Sequence, residues 1–203
     1  LQPRAAFGLM TKAVMHYVSS DKNGKYLEMC NQAGEYLNEA LANQSENELL
    51  SHALQISKEI SSKTSVIYGG TPLTYLVAQR WKTQINENAK SKAFVGYMPE
   101  VHHNEILSWE ANKEDSKINY QLLFLRSSKE NSQISKRFEL TKKIIGDKVD
   151  ISEIENISSK NIISNLFHLT LLGDLVSVYM ADNLKIDPYD ITSIEKLKKL
   201  LKG

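Results

Sequence analysis

Apolar positions over residues 3–63 recur at helical spacing. Ala5, Phe7, Met10, Val14 and Tyr17 follow Pro3, a residue suited to a first helical turn. The turn signal Asp21-Lys22-Asn23-Gly24 introduces a second helical region. There Leu27, Ala33, Tyr36, Leu37, Ala40 and Leu41 recur, and Leu49, Ala53, Ile56 and Ile60 continue the pattern. At Thr64 the period changes. Ser65-Val66-Ile67-Tyr68 is a short β-rich run ending in Gly69-Gly70-Thr71-Pro72, and a helical pattern covers residues 73–89. A second apolar run, Ala93-Phe94-Val95-Gly96, leads into a loop around Pro99. The strongest strand is Tyr120-Gln121-Leu122-Leu123-Phe124-Leu125. A helix through Phe138, Leu140 and Ile144 follows, then a short strand near Val149-Asp150-Ile151. A long helix over residues 161–183 and an amphipathic helix carrying Ile194, Leu197 and Leu201 complete the pattern.

Short strands alternating with helices predict an α/β fold, with a parallel sheet of four or five strands covered by helices on both faces. Residues 1–63 read as a helical arm and residues 64–203 as one α/β domain. A length of 203 residues suits one domain with a helical extension. The net charge is +1, with 25 basic residues interleaved with 24 acidic ones. No basic stripe with stacking aromatics is present, which argues against a nucleic-acid partner. The single cysteine, Cys30, excludes an intramolecular disulfide, argues against a Cys-based zinc site and fits a reducing, cytoplasmic compartment. The most apolar stretch, residues 162–181, is broken by Asn165, His168 and Asp174, so it reads as a buried helix and not a membrane span. The chain begins at Leu1 without a methionine, and a fragment of a longer protein is expected.

Three places could carry chemistry. Ligands of open parallel sheets bind beyond the carboxyl ends of strands. The first such end, Gly69-Gly70-Thr71-Pro72, is either an anion site at a helix N-terminus or an ordinary turn; it lacks the lysine of a P-loop. The helix after it has an apolar face of Leu73, Leu76, Val77, Trp81, Ile85 and Ala89. Arg80, Thr83, Gln84 and Glu87 form a separate polar stripe, either a solvated face or a functional one. In Glu100-Val101-His102-His103-Asn104-Glu105, adjacent histidines project in different directions and no H-E-x-x-H spacing exists. An acid or base histidine is therefore more economical than a metal ligand. His168 and Asp174 read as satisfying one another or the backbone, and His16 and His52 have no convergent partners.

The run Ala78-Gln79-Arg80-Trp81-Lys82-Thr83-Gln84-Ile85-Asn86-Glu87-Asn88-Ala89-Lys90 resembles the signature of the bifunctional phosphoglucose/phosphomannose isomerases, built from two sugar-isomerase (SIS) domains. Further matches follow in the family's order: Pro99-Glu100-Val101-His102-His103-Asn104-Glu105-Ile106, Leu172-Gly173-Asp174 with Asp187-Pro188, and Ile194-Glu195-Lys196-Leu197-Lys198. Pro3-Arg4-Ala5-Ala6 is similar to the start of the helix that leads out of the first domain. The resemblance implies an SIS-type, flavodoxin-like fold, with residues 1–63 leading from an N-terminal SIS domain and 64–203 forming the C-terminal one. It implies a sugar-phosphate isomerase acting through a cis-enediol, with Glu87 as the proton-transfer base. His103 is implied as the ring-opening histidine, supplied across a homodimer interface. Lys198 is implied as the polarising lysine, with Lys199 its rival, and Arg4 and Thr192 as substrate-binding residues. No metal, other cofactor, nucleic acid or membrane is implied. The family's Ser/Thr-rich phosphate loop belongs to its first SIS domain and has no counterpart here. A non-catalytic phosphosugar-binding module, regulatory or dimerising, is the alternative.

Overall fold

The computed structural model describes residues 6–19, 24–42, 47–70, 72–156 and 161–202. Three helices come first: α1 (Phe7–Ser19), α2 (Lys25–Leu41) and α3 (Glu48–Ile60). Then β1 (Thr64–Gly70), α4 (Leu73–Asn88) and β2 (Ala93–Met98) lead to two short 3-10 turns (Glu100–His102 and Glu105–Trp109). The chain continues through α5 (Lys113–Asn119), β3 (Tyr120–Ser127), α6 (Ser132–Ile145), β4 (Asp150–Asn156), α7 (Ile162–Asn183) and α8 (Thr192–Leu200). Asparagine side chains start four of these helices. Asn47, Asn112, Asn131 and Asn161 each accept a hydrogen bond from a backbone N–H of the first turn.

The strands form one parallel sheet in the order β2-β1-β3-β4. Alternation along each strand sorts its side chains between two cores. Ile67, Leu123, Leu125 and Ile154 face α3, α4 and α7, against Ile56, Ile60, Trp81, Ile85, Leu172 and Val176. Val66, Tyr68, Leu122 and Phe124 face the other side, against Val101, Trp109, Phe138 and Ile145. The sheet thus has four strands and cover on both faces, as expected. The helical stretch before β1 packs onto α7 and is not detached from it, with Leu49, Ala53, Ile56 and Ile60 in the shared core.

Some local expectations shift. Leu76 does not join the buried face of α4; it is 66% exposed, and Thr74 and Ala78 are buried instead. β4 extends to Asn156, past the short apolar run that signals it; on this edge strand Ile151 and Ile154 serve opposite faces of the sheet and the residues between and after them are polar or charged. α7 is the one helix among the described residues long and apolar enough to cross a membrane. It serves here as a core helix, with Leu169, Leu172, Val176 and Met180 buried against α3 and α4. α8 forms as expected, but residues 192–202 are all exposed.

Candidate active site

Glu87 lies in the last turn of α4, half-buried. Each polar neighbour in its motif is committed to the scaffold. Asn86 Nδ2 donates to the Ser91 carbonyl at 2.7 Å and closes the turn into β2. Asn88, buried, donates to Ser177 Oγ of α7 at 2.8 Å. Lys90 Nζ donates to the Glu87 carbonyl at 2.6 Å and to the Pro188 carbonyl at 3.3 Å. It sits where the last carbonyls of a helix carry partial negative charge. The rest of the polar stripe divides. Arg80 makes a two-bond ion pair with Asp174 of α7, at 3.0 and 2.7 Å, and Gln84 is buried against Asn88. Thr83 is exposed and donates to its own helix.

His103 is exposed, directly after the first 3-10 turn. The loop around it is pinned at several points. Thr141 Oγ1 donates its proton to the Arg137 carbonyl, so His102 Nε2–H must be the donor in the 2.6 Å contact with Thr141. His102 Nδ1 then accepts from Arg137 Nη1 at 3.0 Å. Both ring nitrogens are engaged, which removes His102 as a metal ligand. Burial, and then the Arg137 charge, hold its pKa below the ordinary histidine value. On the far side, Trp109 Nε1 donates to the Tyr68 hydroxyl at 3.2 Å, and the Glu105 carboxylate and the Tyr68 ring both lie against Gly96. Burial pushes the Glu105 carboxyl up, with repulsion from Glu100 adding to it.

Within one chain Glu87 and His103 do not meet. α4 runs back from the carboxyl end of β1 and ends beside the start of β2, whereas His103 follows the end of β2. The six residues of β2 separate these two edges by about 20 Å at roughly 3.3 Å per residue. Thr192 opens α8, where its N–H and hydroxyl both donate to Asp190 Oδ1, at 2.9 and 2.6 Å. The Lys90 contact with Pro188 brings this segment beside the Glu87 end of α4. Lys198 and Lys199 are exposed on α8. Arg4 lies outside the described residues, as does Thr71. The turn before α4 is packed against protein. A β-carbon on Gly69 would meet the Thr74–Tyr75 backbone at about 2.5–2.6 Å, and one on Gly70 would meet Ile134 of α6 at 2.6 Å. The Gly70 N–H already donates to Thr74 Oγ1 at 2.7 Å. Of the two readings of this turn, these contacts favour the ordinary one. Among the described residues no three His, Cys, Asp or Glu side chains converge as a metal site requires.

The sequence matches the family described as the bacterial phospho-glucose isomerase C-terminal SIS domain over residues 50–201. The chain belongs to that family. It is 33% identical over 207 residues to the bifunctional phosphoglucose/phosphomannose isomerase of Aquifex aeolicus, covering 99% of this chain and 59% of that protein. Its identity with the Thermoplasma acidophilum protein of the same name is 33% over 199 residues, covering 98% and 59%. The chain therefore spans 59% of the length of these curated relatives. A glucose-6-phosphate isomerase like protein from Thermus thermophilus shares the fold, with a TM-score of 0.65 at 18% identity over 84% of this chain and 57% of that one.

The structure of this SIS domain also assigns residues that sequence reading passed over. The motif Leu172-Gly173-Asp174 docks onto the other motif: Asp174 takes Arg80, and Gly173 makes room for the Trp81 indole. Trp81 Nε1 donates to the Leu169 carbonyl at 2.7 Å. Asp174 and His168 do not satisfy one another, since His168 Nδ1 meets the Tyr36 hydroxyl at 3.1 Å. No spacing rule links residues so far apart; the pairing of two motifs within one family pattern was the only available signal.

Proposed function

We propose that this chain supplies the reacting groups of an aldose–ketose isomerase. The enzyme would interconvert glucose 6-phosphate and mannose 6-phosphate with fructose 6-phosphate, and this chain would act as the C-terminal half of a two-domain protein. Glu87 takes the C2 proton of the open-chain aldose as the C1 carbonyl oxygen gains one, giving the cis-enediol. The carboxylate then returns its proton to C1 while the C2 hydroxyl loses its own, giving the ketose. Glucose and mannose 6-phosphates differ only at C2, so both collapse to the same enediol and one base serves both. His103 of a second copy opens the ring, and Lys198, or its neighbour Lys199, polarises the ring or carbonyl oxygen. Arg4 and Thr192 line the sugar, with Arg4 stabilising enediolate charge. The substrate phosphate is held by the family's other SIS domain.

The observation that carries this reading is the match of nearly the whole chain to isomerases of that name; Glu87 sits in the run that resembles the signature of that family. Two further features support it. Asn86, Asn88 and Lys90 are spent on the scaffold around Glu87, which gives the carboxylate a fixed mount. Glu87 and His103 lie at opposite edges of the sheet, as a site shared between two copies requires.

In the full-length protein, Glu87→Gln is expected to lower turnover of both aldose phosphates at least ~10³-fold with substrate binding largely retained. Turnover in deuterated water should place deuterium at C2 of the aldose product. A Glu87→Gln enzyme with appreciable activity would sink the assignment of the base. Phosphosugar binding without turnover in the wild-type protein would instead favour the non-catalytic module.

A further inference from the structure

We infer that Lys90 is a positioning residue that clasps the Glu87 end of α4 to the segment leading into α8. The inference rests on the proposed roles of Glu87 and of a lysine on α8.

Lys90 has a left-handed backbone, φ 54°, a conformation that glycine adopts freely and lysine does not. The chain accepts this at a position where the side chain bridges two segments. Its ammonium donates to the carbonyl of Glu87 itself and to that of Pro188, 98 residues further on. Two residues past Pro188, Asp190 caps the start of α8 through the N–H and hydroxyl of Thr192. One continuous path of contacts thus runs from Glu87 through Lys90, Pro188, Asp190 and Thr192 into the helix that bears Lys198 and Lys199.

The path matters because α8 buries little of its own surface. Ile194, Leu197, Leu200 and Leu201 are 44%, 56%, 71% and 77% exposed, so apolar packing gives the helix only a weak hold. Its orientation relative to Glu87 depends on the connection before it, and Lys90 anchors that connection to the same carbonyl that carries the base. With both hydrogen bonds directed at main-chain oxygens, Lys90 acts through the groups it holds in register.

The test uses the full-length enzyme with Lys90→Gly and Lys90→Arg. Glycine keeps the backbone at φ 54° without strain and deletes the clasp, so thermal stability should hold. Its kcat should fall about 10- to 100-fold, as expected when a reacting group is displaced by about 1 Å, with KM less affected. Amide hydrogen exchange should quicken over residues 186–202 and stay unchanged in the sheet. Arginine keeps a cationic donor and should restore most of the turnover. Wild-type kcat with unchanged exchange over 186–202 in the glycine variant overturns the inference. So does a fall in stability that tracks the activity with exchange raised throughout, which is the mark of a purely structural lysine. Glu87→Gln measured alongside separates this from the functional reading. If that variant turns over normally, the base is wrongly assigned, while the exchange data still decide the clasp.

Discussion

Gly173 has no side chain because Trp81 leaves no room for one. A β-carbon there would overlap the indole nitrogen and its neighbours, and Trp81 is fully buried and tied to the Leu169 carbonyl. In a mid-helix position, Gly→Ala ordinarily stabilises by up to about 1 kcal/mol. Overpacking a rigid core costs about 1–3 kcal/mol, so the clash should win. Gly173→Ala is expected to lower unfolding stability by up to about 2 kcal/mol in urea titrations, the difference of those two effects. A gain in stability would show that the ring shifts freely. The same reading of close contacts separates Glu87 from its neighbours. Asn86, Asn88 and Lys90 look from the sequence like a solvated polar cluster, yet each is bonded across to another segment, by 5, 89 and 98 residues respectively.

At the scale of elements, the loop between β2 and α5 is held by titratable clamps. His102 is neutral between Thr141 and Arg137, and burial, then the nearby His52 charge, lower the His168 pKa. Both have folded pKa values below the unfolded value of about 6.5, so each contributes stability that is complete above that pH and is lost as pH falls. Glu105 and Asp174 are raised by burial and act in the opposite sense, their contribution being lost as pH rises through their folded values. Between about pH 7.5 and 5.5 the histidine contribution should lower the thermal midpoint. Replacing His102 by Asn should flatten part of this dependence. A wild-type midpoint that is level over the range would exclude the histidine account. The loop's apolar anchors are visible in sequence as Val101 and Trp109, whereas the choice of His102 as clamp and His103 as the exposed ring is not. Two adjacent identical residues offer no local signal, and only the position of α6 distinguishes them.

Across the whole molecule, the carboxyl edge of the sheet is closed by charge. Arg126, at the end of β3, donates to Glu130, Glu139, Glu153 and Ser135, joining the loop, α6 and β4. Lys142 also bonds Glu153, and Phe138 lies beneath the guanidinium. Burial opposes the charge on Arg126, but the hydrogen bonds it donates to these carboxylates outweigh that cost and keep it fully charged. Removing one partner of a buried network costs about 3–5 kcal/mol, because the others are left desolvated. The partly exposed Glu139 and Glu153 will recover some hydration, so Arg126→Met is expected to destabilise by about 2–4 kcal/mol in denaturant titrations. Adding Glu130→Gln should regain part of that loss. If Arg126→Met leaves stability unchanged, the network is only a surface decoration. With this edge and the Gly69-Gly70 turn occupied by the protein's own groups, the residues proposed for chemistry lie at the other edge and at the loop tips.

Hydrophobic period by itself determined the order of helices and strands, apart from the short α5 and the break between α2 and α3, and with it the parallel sheet and its two covered faces. Those features follow from local geometry, because the repeat of a helix or a pleat is written in neighbouring residues. The motif around Glu87 was equally legible as a match to a family. Tertiary structure decided which polar residues are spent and which are offered. Arg80 looked like part of a polar stripe until Asp174, 94 residues away, took its guanidinium. Lys90 looked like the end of a motif until the Pro188 carbonyl came within its reach. Long-range hydrogen bonds of this kind leave no periodic trace in sequence, because their geometry exists only after the helices have packed.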